Sequence, residues 1–453
     1  MQYSIVYFSE AKKERRFDAE FYKKSIEISK SINLMYISEI LDVIQYGISI
    51  DMNEEKKGIP IYRMNEINDL GYLCSTNVQK YAYIINDNDK EKFLLNDKDV
   101  LFNRTNSFDF VGRTGIFYST DNIKKVFASY LIRLVPNKLI LPEFLVVYLN
   151  TNLAISEIKK RARISINQSN VSASELVKIK IPIFSDEFQK SIEKLVLEAH
   201  NQRQKSNSLM KEANEILEKE IGFDKLEIKK KKVNYSIVNY RETLSSKRID
   251  AEYYQEKYKI IMDKIQSYKN GCIKITDLNS INNKLISIDK NKKYEYIELS
   301  NIDSMGFINN LELYYGYELP SRARRLLNNN DVIISSVEGS LDKSSLIYNN
   351  NDNLLCSTGF LVFNENEFIN PETLFCFFRL ALIKELLKKI SKGTILTAFD
   401  SNAICDMEIP NLDKNVQNVI AEKVQDAYKA RDKAKALLEE AKKKVEDAIE
   451  NGE

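Results

Sequence analysis

A chain of 453 residues, 43% apolar and 29% charged, with a formal net charge of +2, has length for two to four domains and apolar material for sizeable cores. No run approaches the ~18 apolar residues of a membrane span, and Met1 to Glu10 lacks a basic start followed by an apolar stretch, so the chain reads as cytoplasmic. Five scattered cysteines, Cys74, Cys272, Cys356, Cys376 and Cys405, contain no C-x-x-C pair, and His200 is the single histidine, which argues against disulfides, metal sites and histidine catalysis.

In chain order the sequence repeats itself. Tyr3-Ser4-Ile5-Val6 returns as Tyr235-Ser236-Ile237-Val238, and Arg16-Phe17-Asp18-Ala19-Glu20-Phe21-Tyr22 returns as Arg248-Ile249-Asp250-Ala251-Glu252-Tyr253-Tyr254, both 232 positions on. A strand expected over Ile61 to Ile67, with a glycine turn at Asn68 to Tyr72, pairs with Tyr296 to Ile302 and Asp303 to Phe307. Leu94 to Phe102, a polar turn feeding a buried strand, answers to Leu326 to Ile334. Strands around Gly115 to Tyr118 and Phe127 to Val135 correspond to Leu346 to Tyr348 and Gly359 to Phe363. Pro142-Glu143 should open a helix through Asn150, and Pro371-Glu372 one through Leu382, with proline in the first turn. Short strands over Leu176 to Pro182 and Ile404 to Pro410 close the two copies.

Each copy ends in a long helix. Ile192, Val196, Ala199, Arg203, Ser206, Met210, Ala213 and Leu217 step by fours and threes, the seam of a coiled coil. The same seam stands 228 positions later at Ile420, Val424, Ala427, Arg431, Ala434, Leu438, Ala441 and Val445. Arg203 and Arg431 either reach out of the coil or pair across it. About 34 residues per helix gives a rod of roughly 50 Å. Because Phe223 to Asn234 is too short to span the first helix back again, the two helices should run antiparallel.

The expected fold is therefore α+β: two tandem-repeated α/β globular domains related by pseudo-twofold symmetry and separated by an antiparallel coiled coil. The boundaries are 1–185, helix 186–222, 223–412 and helix 413–453. A spacer of this length between two related, divergent domains suits duplex DNA. The loops between matched strands hold side chains of the kind that can contact base edges: Asn103, Arg104, Asn106 and Arg113 in one group of the first copy, Arg161, Arg163, Asn167, Gln168 and Asn170 in a second, with Arg63 on the early strand as a further candidate. In the second they are Arg322, Arg324, Arg325, Ser335, Ser336, Lys343, Lys392, Thr394 and Thr397. Lys56-Lys57 and Lys229 to Lys232 read as solvated charge.

The doubled Arg-x-Asp-Ala-Glu-[Phe/Tyr]-Tyr, the run Leu94 to Arg104, and Ile166 to Val171 through Lys180-Ile181-Pro182-Ile183 to Gln189-x-x-Ile192 together resemble the specificity subunit of type I restriction-modification systems. The resemblance extends over nearly the whole chain. It implies two target-recognition domains, each reading half of a split, asymmetric site in double-stranded DNA, and a coiled coil that sets the gap and docks two methyltransferase subunits. Restriction/translocase subunits would join for cleavage. S-adenosylmethionine, ATP and Mg²⁺ would belong to those partners, with no cofactor and no catalysis in this chain. The sequence holds no Asn-Pro-Pro-[Tyr/Phe], no G-x-x-x-x-G-K-[Ser/Thr] and no Gly-rich dinucleotide fingerprint. The second copy departs from the pattern at Leu396 to Asp400 and at Ser335-Ser336. A dumbbell scaffold that assembles proteins without reading DNA, and a nuclease with a dispersed acidic site, remain as alternatives.

Overall fold

The computed structural model describes residues 6–14, 21–22, 32–67, 71, 73, 79–84, 86–119, 123–166, 168–228, 235–309, 311–349, 351–393 and 397–452. Tyr3 to Ile5, Arg16 to Glu20, Asn68 to Leu70, Tyr72, Cys74, Asn167, Lys229 to Lys232, Thr394 and Leu396, all singled out above, lie outside them. Among the described residues the helices of eight residues or more are α1 (Pro142–Leu149), α2 (Asn152–Arg161), α3 (Asp186–Ile221), α4 (Glu256–Gln266), α5 (Pro371–Arg379), α6 (Ala381–Ile390) and α7 (Lys414–Asn451). The chain divides into two units, Met1–Arg203 with Arg431–Glu453, and Gln204–Ala430.

In the first unit, Leu41–Tyr46, Leu131–Pro136, Val100–Asn103 and Thr114–Ile116 form an antiparallel sheet in that order. All four residues from Val100 to Asn103 are buried, as a central strand covered on both faces requires. A second sheet orders Met52–Asn53, Lys80–Ala82, Ile59–Tyr62 and Val126–Phe127, its last pair parallel. Leu34–Tyr36 pairs with Lys180–Pro182 just ahead of α3.

The second unit repeats this scheme. Ile281–Asn282, Phe360–Phe363, Val332–Ser335 and Ser344–Leu346 make one sheet, and Leu313–Tyr315, Lys293–Ile297, Leu354–Ser357 and Ala323–Leu326 another, again with one parallel pair. Cys272–Lys274 pairs with Glu408–Pro410 ahead of α7. The repeat reaches single hydrogen bonds. Asp99 accepts the Asn96 N–H at 2.9 Å and Asp331 accepts the Asn328 N–H at 2.7 Å, each closing a turn whose next-to-last residue, Lys98 or Asn330, is left-handed at φ 65° or 68°.

Several expected elements are shorter than the sequence suggested. The run Ile61 to Ile67 is strand only to Tyr62, followed by a 3-10 turn over Met64–Glu66, and Tyr296 to Ile302 likewise turns at Leu299–Asn301. In both, the third residue of the turn reaches back: Glu66 accepts the Arg63 N–H at 2.6 Å and Asn301 accepts the Glu298 N–H at 2.8 Å. These side-chain bonds replace ladder bonds. Phe127 to Val135 is two strands, split by a turn in which Leu131 N–H donates to the Ala128 carbonyl at 2.9 Å. The helix expected through Leu382 stops at Arg379, because Leu380 (ψ 137°) is extended and buried, and α6 starts directly after it. Leu176 to Pro182 and Ile404 to Pro410 are strands only in their last three residues, each preceded by a helical turn.

The seam residues are buried. In the first unit Ile192, Val196 and Ala199 pack in one core with Ala434, Leu438, Ala441 and Val445. In the second, Met210, Ala213 and Leu217 share a core with Ile420, Val424 and Ala427. Within each unit one ion pair also joins the two helices. Lys433 meets Glu198 at 3.2 Å in the first unit and Lys423 meets Glu212 at 2.6 Å in the second. Arg203 and Arg431 are half-buried. A glutamine fastens each long helix to its own unit. Gln189 accepts the Leu141 N–H at 2.8 Å and donates to the Leu139 and Phe184 carbonyls at 3.1 Å each. Gln417 accepts the Asn370 N–H at 2.9 Å and donates to Phe368 (3.0 Å) and Leu412 (2.9 Å).

Candidate nucleic-acid interface

In the first unit, three short strands stand apart from the large sheets: β1 (Thr105–Asn106), β2 (Arg163–Ser165) and β3 (Gln168–Asn170), in the order β2-β3-β1. Arg104, immediately before β1, is their clamp. Its guanidinium donates to the Ser129 carbonyl at 3.1 Å and to Asn170 Oδ1 at 3.2 Å, and stacks on the Tyr46 ring at 4.8 Å. Asn170 in turn donates to Thr105 Oγ1 at 2.8 Å. The cluster thus brings together Arg104 and Asn106 from one stretch of the sequence with Arg163, Gln168 and Asn170 from another.

The other first-unit candidates are placed differently. Asn103 is fully buried, its amide 3.3 Å from the Met64 carbonyl and 3.4 Å from that of Phe110. It positions the loop and does not face solvent. Arg63 forms an ion pair with the fully buried Glu66 at 2.6 Å, so its charge offsets a carboxylate that burial would otherwise penalise. Arg161 is held by Glu157 (3.1 Å) and Glu175 (3.6 Å). Asn106 Oδ1 accepts the Ser107 N–H at 2.8 Å, and Arg113 stacks on Phe110 at 4.2 Å. Arg163 and Gln168 are the exposed members.

The second unit gathers its candidates in two places. The first joins residues 335–338 to residues 392–399. Glu338 N–H donates to the Thr397 carbonyl at 2.9 Å, Phe399 N–H to Ser336 at 3.0 Å and Lys392 N–H to Ala398 at 2.8 Å. Ser335 is buried here, Ser336 Oγ donates to the Gly359 carbonyl at 2.9 Å, Thr397 Oγ1 donates to Gly393 at 3.3 Å, and Lys392 is exposed. Ser336 therefore occupies the backbone position of Arg104: the two N–H groups donate to Gly359 and Tyr130 at 2.9 and 3.0 Å. The second place is the edge strand Ala323–Leu326. Arg322 and Arg324 are exposed there, while Arg325 donates to the Asn282 carbonyl at 2.9 Å. Lys343 joins neither place; its ammonium donates to the Ile302 carbonyl at 2.6 Å.

Aromatic neighbours were missed by the polar search. Tyr315 and Tyr317 stack at 5.5 Å with their planes 10° apart, both exposed, with the Lys293 ammonium over Tyr315 at 4.8 Å. In the first unit Lys159 lies over Phe108 at 5.1 Å. The available signal was two separate runs, the lysines of Lys290 to Lys293 and the tyrosines of Tyr314 to Tyr317, since stacked rings beside cations suit nucleic acid.

Nucleophile and metal chemistry find little to work with. Burial pushes the Cys356 and Cys376 thiols up to about 12, and desolvation lowers the imidazole of half-buried His200. Among the described residues no three His, Cys, Asp or Glu side chains come together in a way that could hold a metal ion. No helix among them is long and apolar enough to cross a membrane.

Residues 32–215 match the family model described as type I restriction modification DNA specificity domain, which bears out over that stretch the resemblance read from the sequence. A type I restriction enzyme MjaX specificity subunit from Methanocaldococcus jannaschii is 29% identical over 188 residues, which span 41% of this chain and 43% of the relative. Two solved structures align along most of the chain. The S subunit of a type I restriction-modification system from M. genitalium gives a TM-score of 0.42 at 13% identity, covering 93% of this chain and 98% of that one. The HsdS subunit from Thermoanaerobacter tengcongensis gives 0.29 at 9% identity, covering 94% and 98%.

Proposed function

We propose, from the premise that residues 32–215 carry a type I restriction modification DNA specificity domain, that the chain is the DNA-reading subunit of such a system. Each unit is a target-recognition domain that reads one half of a split, asymmetric duplex site. The paired long helices set the gap and receive two methyltransferase subunits, and translocase/nuclease subunits join that assembly in the cytoplasm. The chain performs no chemistry itself, and S-adenosylmethionine, ATP and Mg²⁺ are held by its partners. The observation that carries the reading is duplication. The sheets, the capped turn at Asn96–Asp99 and the glutamine joint at Gln189 return in Gln204–Ala430 as its own sheets, the turn at Asn328–Asp331 and the joint at Gln417, while the exposed loop residues differ. A shared scaffold with divergent loops is what two readers of different half-sites need.

The test is methylation mapping in cells with and without this chain, alongside its methyltransferase, followed by exchange of residues 1–185 for those of a relative. One split motif should gain methylation, and the exchange should alter one half of it. A motif that changes in both halves, or methylation indifferent to the chain, would overturn the reading in favour of a scaffold.

A further inference from the structure

Strand β2 is an edge strand whose three residues, Arg163, Ile164 and Ser165, are all exposed. Ile164 is 61% exposed, and Ile166, at the turn into β3, is 94% exposed. Neither joins an apolar cluster of the described residues. Ser169, the cross-strand partner of Ile164, is buried, so the ribbon has an inner face, yet Ile164 itself stays exposed and takes no part in a core. Such an edge is also a pairing hazard that folds usually blunt. By register Arg163, Ser165, Gln168 and Asn170 share the ribbon face opposite Ile164. The loop after β1 adds Phe108 and Phe110 under the cations of Lys159 and Arg113, with Asp109 as its carboxylate. Among the described residues named here, Arg163, Lys159 and Arg113 face one carboxylate, Asp109, while Glu157 and Glu175 are paired with Arg161, a balance that favours a polyanion that also presents methyl groups.

We propose that the β2-β3 ribbon enters the major groove of the half-site read by the first unit, and that Ile164 and Ile166 read thymine through its C5-methyl group. This rests on the DNA-reading function above. Two strands about 4.8 Å apart, with their side chains, fit a major groove ~12 Å wide and not a minor groove of ~6 Å. Thymine alone of the four bases offers a methyl group in that groove, and an aliphatic side chain is its natural partner.

The experiment uses the full chain with its methyltransferase subunits and duplexes carrying the mapped motif, in which each thymine of both half-sites is replaced in turn by deoxyuridine. Affinity is read by fluorescence anisotropy at one salt concentration. At one or two positions of a single half-site the replacement should weaken binding about fourfold, what burying one methyl group contributes. Ile164→Ala or Ile166→Ala should abolish the difference between thymine and uracil there and leave the other half-site unchanged. Both residues are exposed, so the variants should fold. Sequence-specific binding that is indifferent to uracil everywhere, a uracil effect that survives both substitutions, or a half-site with no A·T pair would overturn the proposal while leaving the reader function standing. Variants that bind duplex normally but lose the methyltransferase would also overturn it, marking the ribbon as a protein contact. Absence of any sequence preference would sink the reader function itself.

Discussion

Gln189→Ala should loosen the joint between α3 and the first unit by a worked amount. The side chain is 2% exposed and makes three hydrogen bonds, accepting one from Leu141 N–H and donating two, to the carbonyls of Leu139 and Phe184. At ~0.5 to 1.5 kcal/mol each, with the Leu141 amide left unpaired, the loss is roughly 2 to 4 kcal/mol. Because the chain has two units, the loss should be local and is best read by hydrogen exchange of fragments covering residues 139–149. Their protection should fall about 30- to 1000-fold, while fragments around Asn370 keep theirs. Gln189→Glu sharpens the argument. An ionised carboxylate would face two carbonyls, so burial and repulsion raise its folded-state pKa above the ~4.3 of an unfolded glutamate. A raised acid pKa means that the variant is most stable below ~4.3 and loses stability as pH rises from there to the folded-state value. Wild type lacks that slope at this joint. A loss under ~0.5 kcal/mol in the alanine variant, with exchange unchanged near Leu141, would refute the claim that this glutamine fastens the helix.

Gln168→Ala should cost ~1 to 3 kcal/mol of discrimination at one base position, measured by competition among single-base variants of the motif. Arg104→Ala, by contrast, should weaken reading across the whole first half-site, because its guanidinium ties Ser129, Asn170 and Tyr46 together; a loss confined to one base pair would show that it reads a base directly. The Arg248 guanidinium holds the Asp250 carboxyl below its usual range, so the pair's contribution is complete above pH ~3.9 and fades as pH falls through the lower folded-state value. Arg248→Ala should move that fading to higher pH, seen as earlier acid loss of protection in residues 248–254. A seven-residue repeat added to each long helix, ~10 Å of rise, should widen the methylated motif's gap by about three base pairs if the helices are the ruler.

The large features were legible because they are written in periodicity, and the smaller ones were lost where a single side chain overrides it. The seam from Ile192 to Val445 could be read because burial on a helix recurs every three or four residues, and all its small and apolar members are buried. The strand ends at Tyr62 and Ile297 could not be read in the same way. Both runs stay apolar beyond the turn, and what ends them is one acceptor, Glu66 or Asn301, bonding a backbone amide three residues back. The break at Leu380 is similar: an extended leucine among helix formers carries no signal until its burial is known. The DNA candidates illustrate the same limit from the other direction. Residue type nominated Asn103, Arg63 and Arg161, but each bonds to groups within its own unit, and no spacing distinguishes an arginine that offsets Glu66 from one that faces solvent. Residue type also passed over Ile164 and Ile166, because isoleucine in an alternating run is normally core. Their exposure is informative because it runs against the pattern, which is why the apolar edge of β2, more than any of the clamped arginines, is where sequence preference in the first unit should be sought.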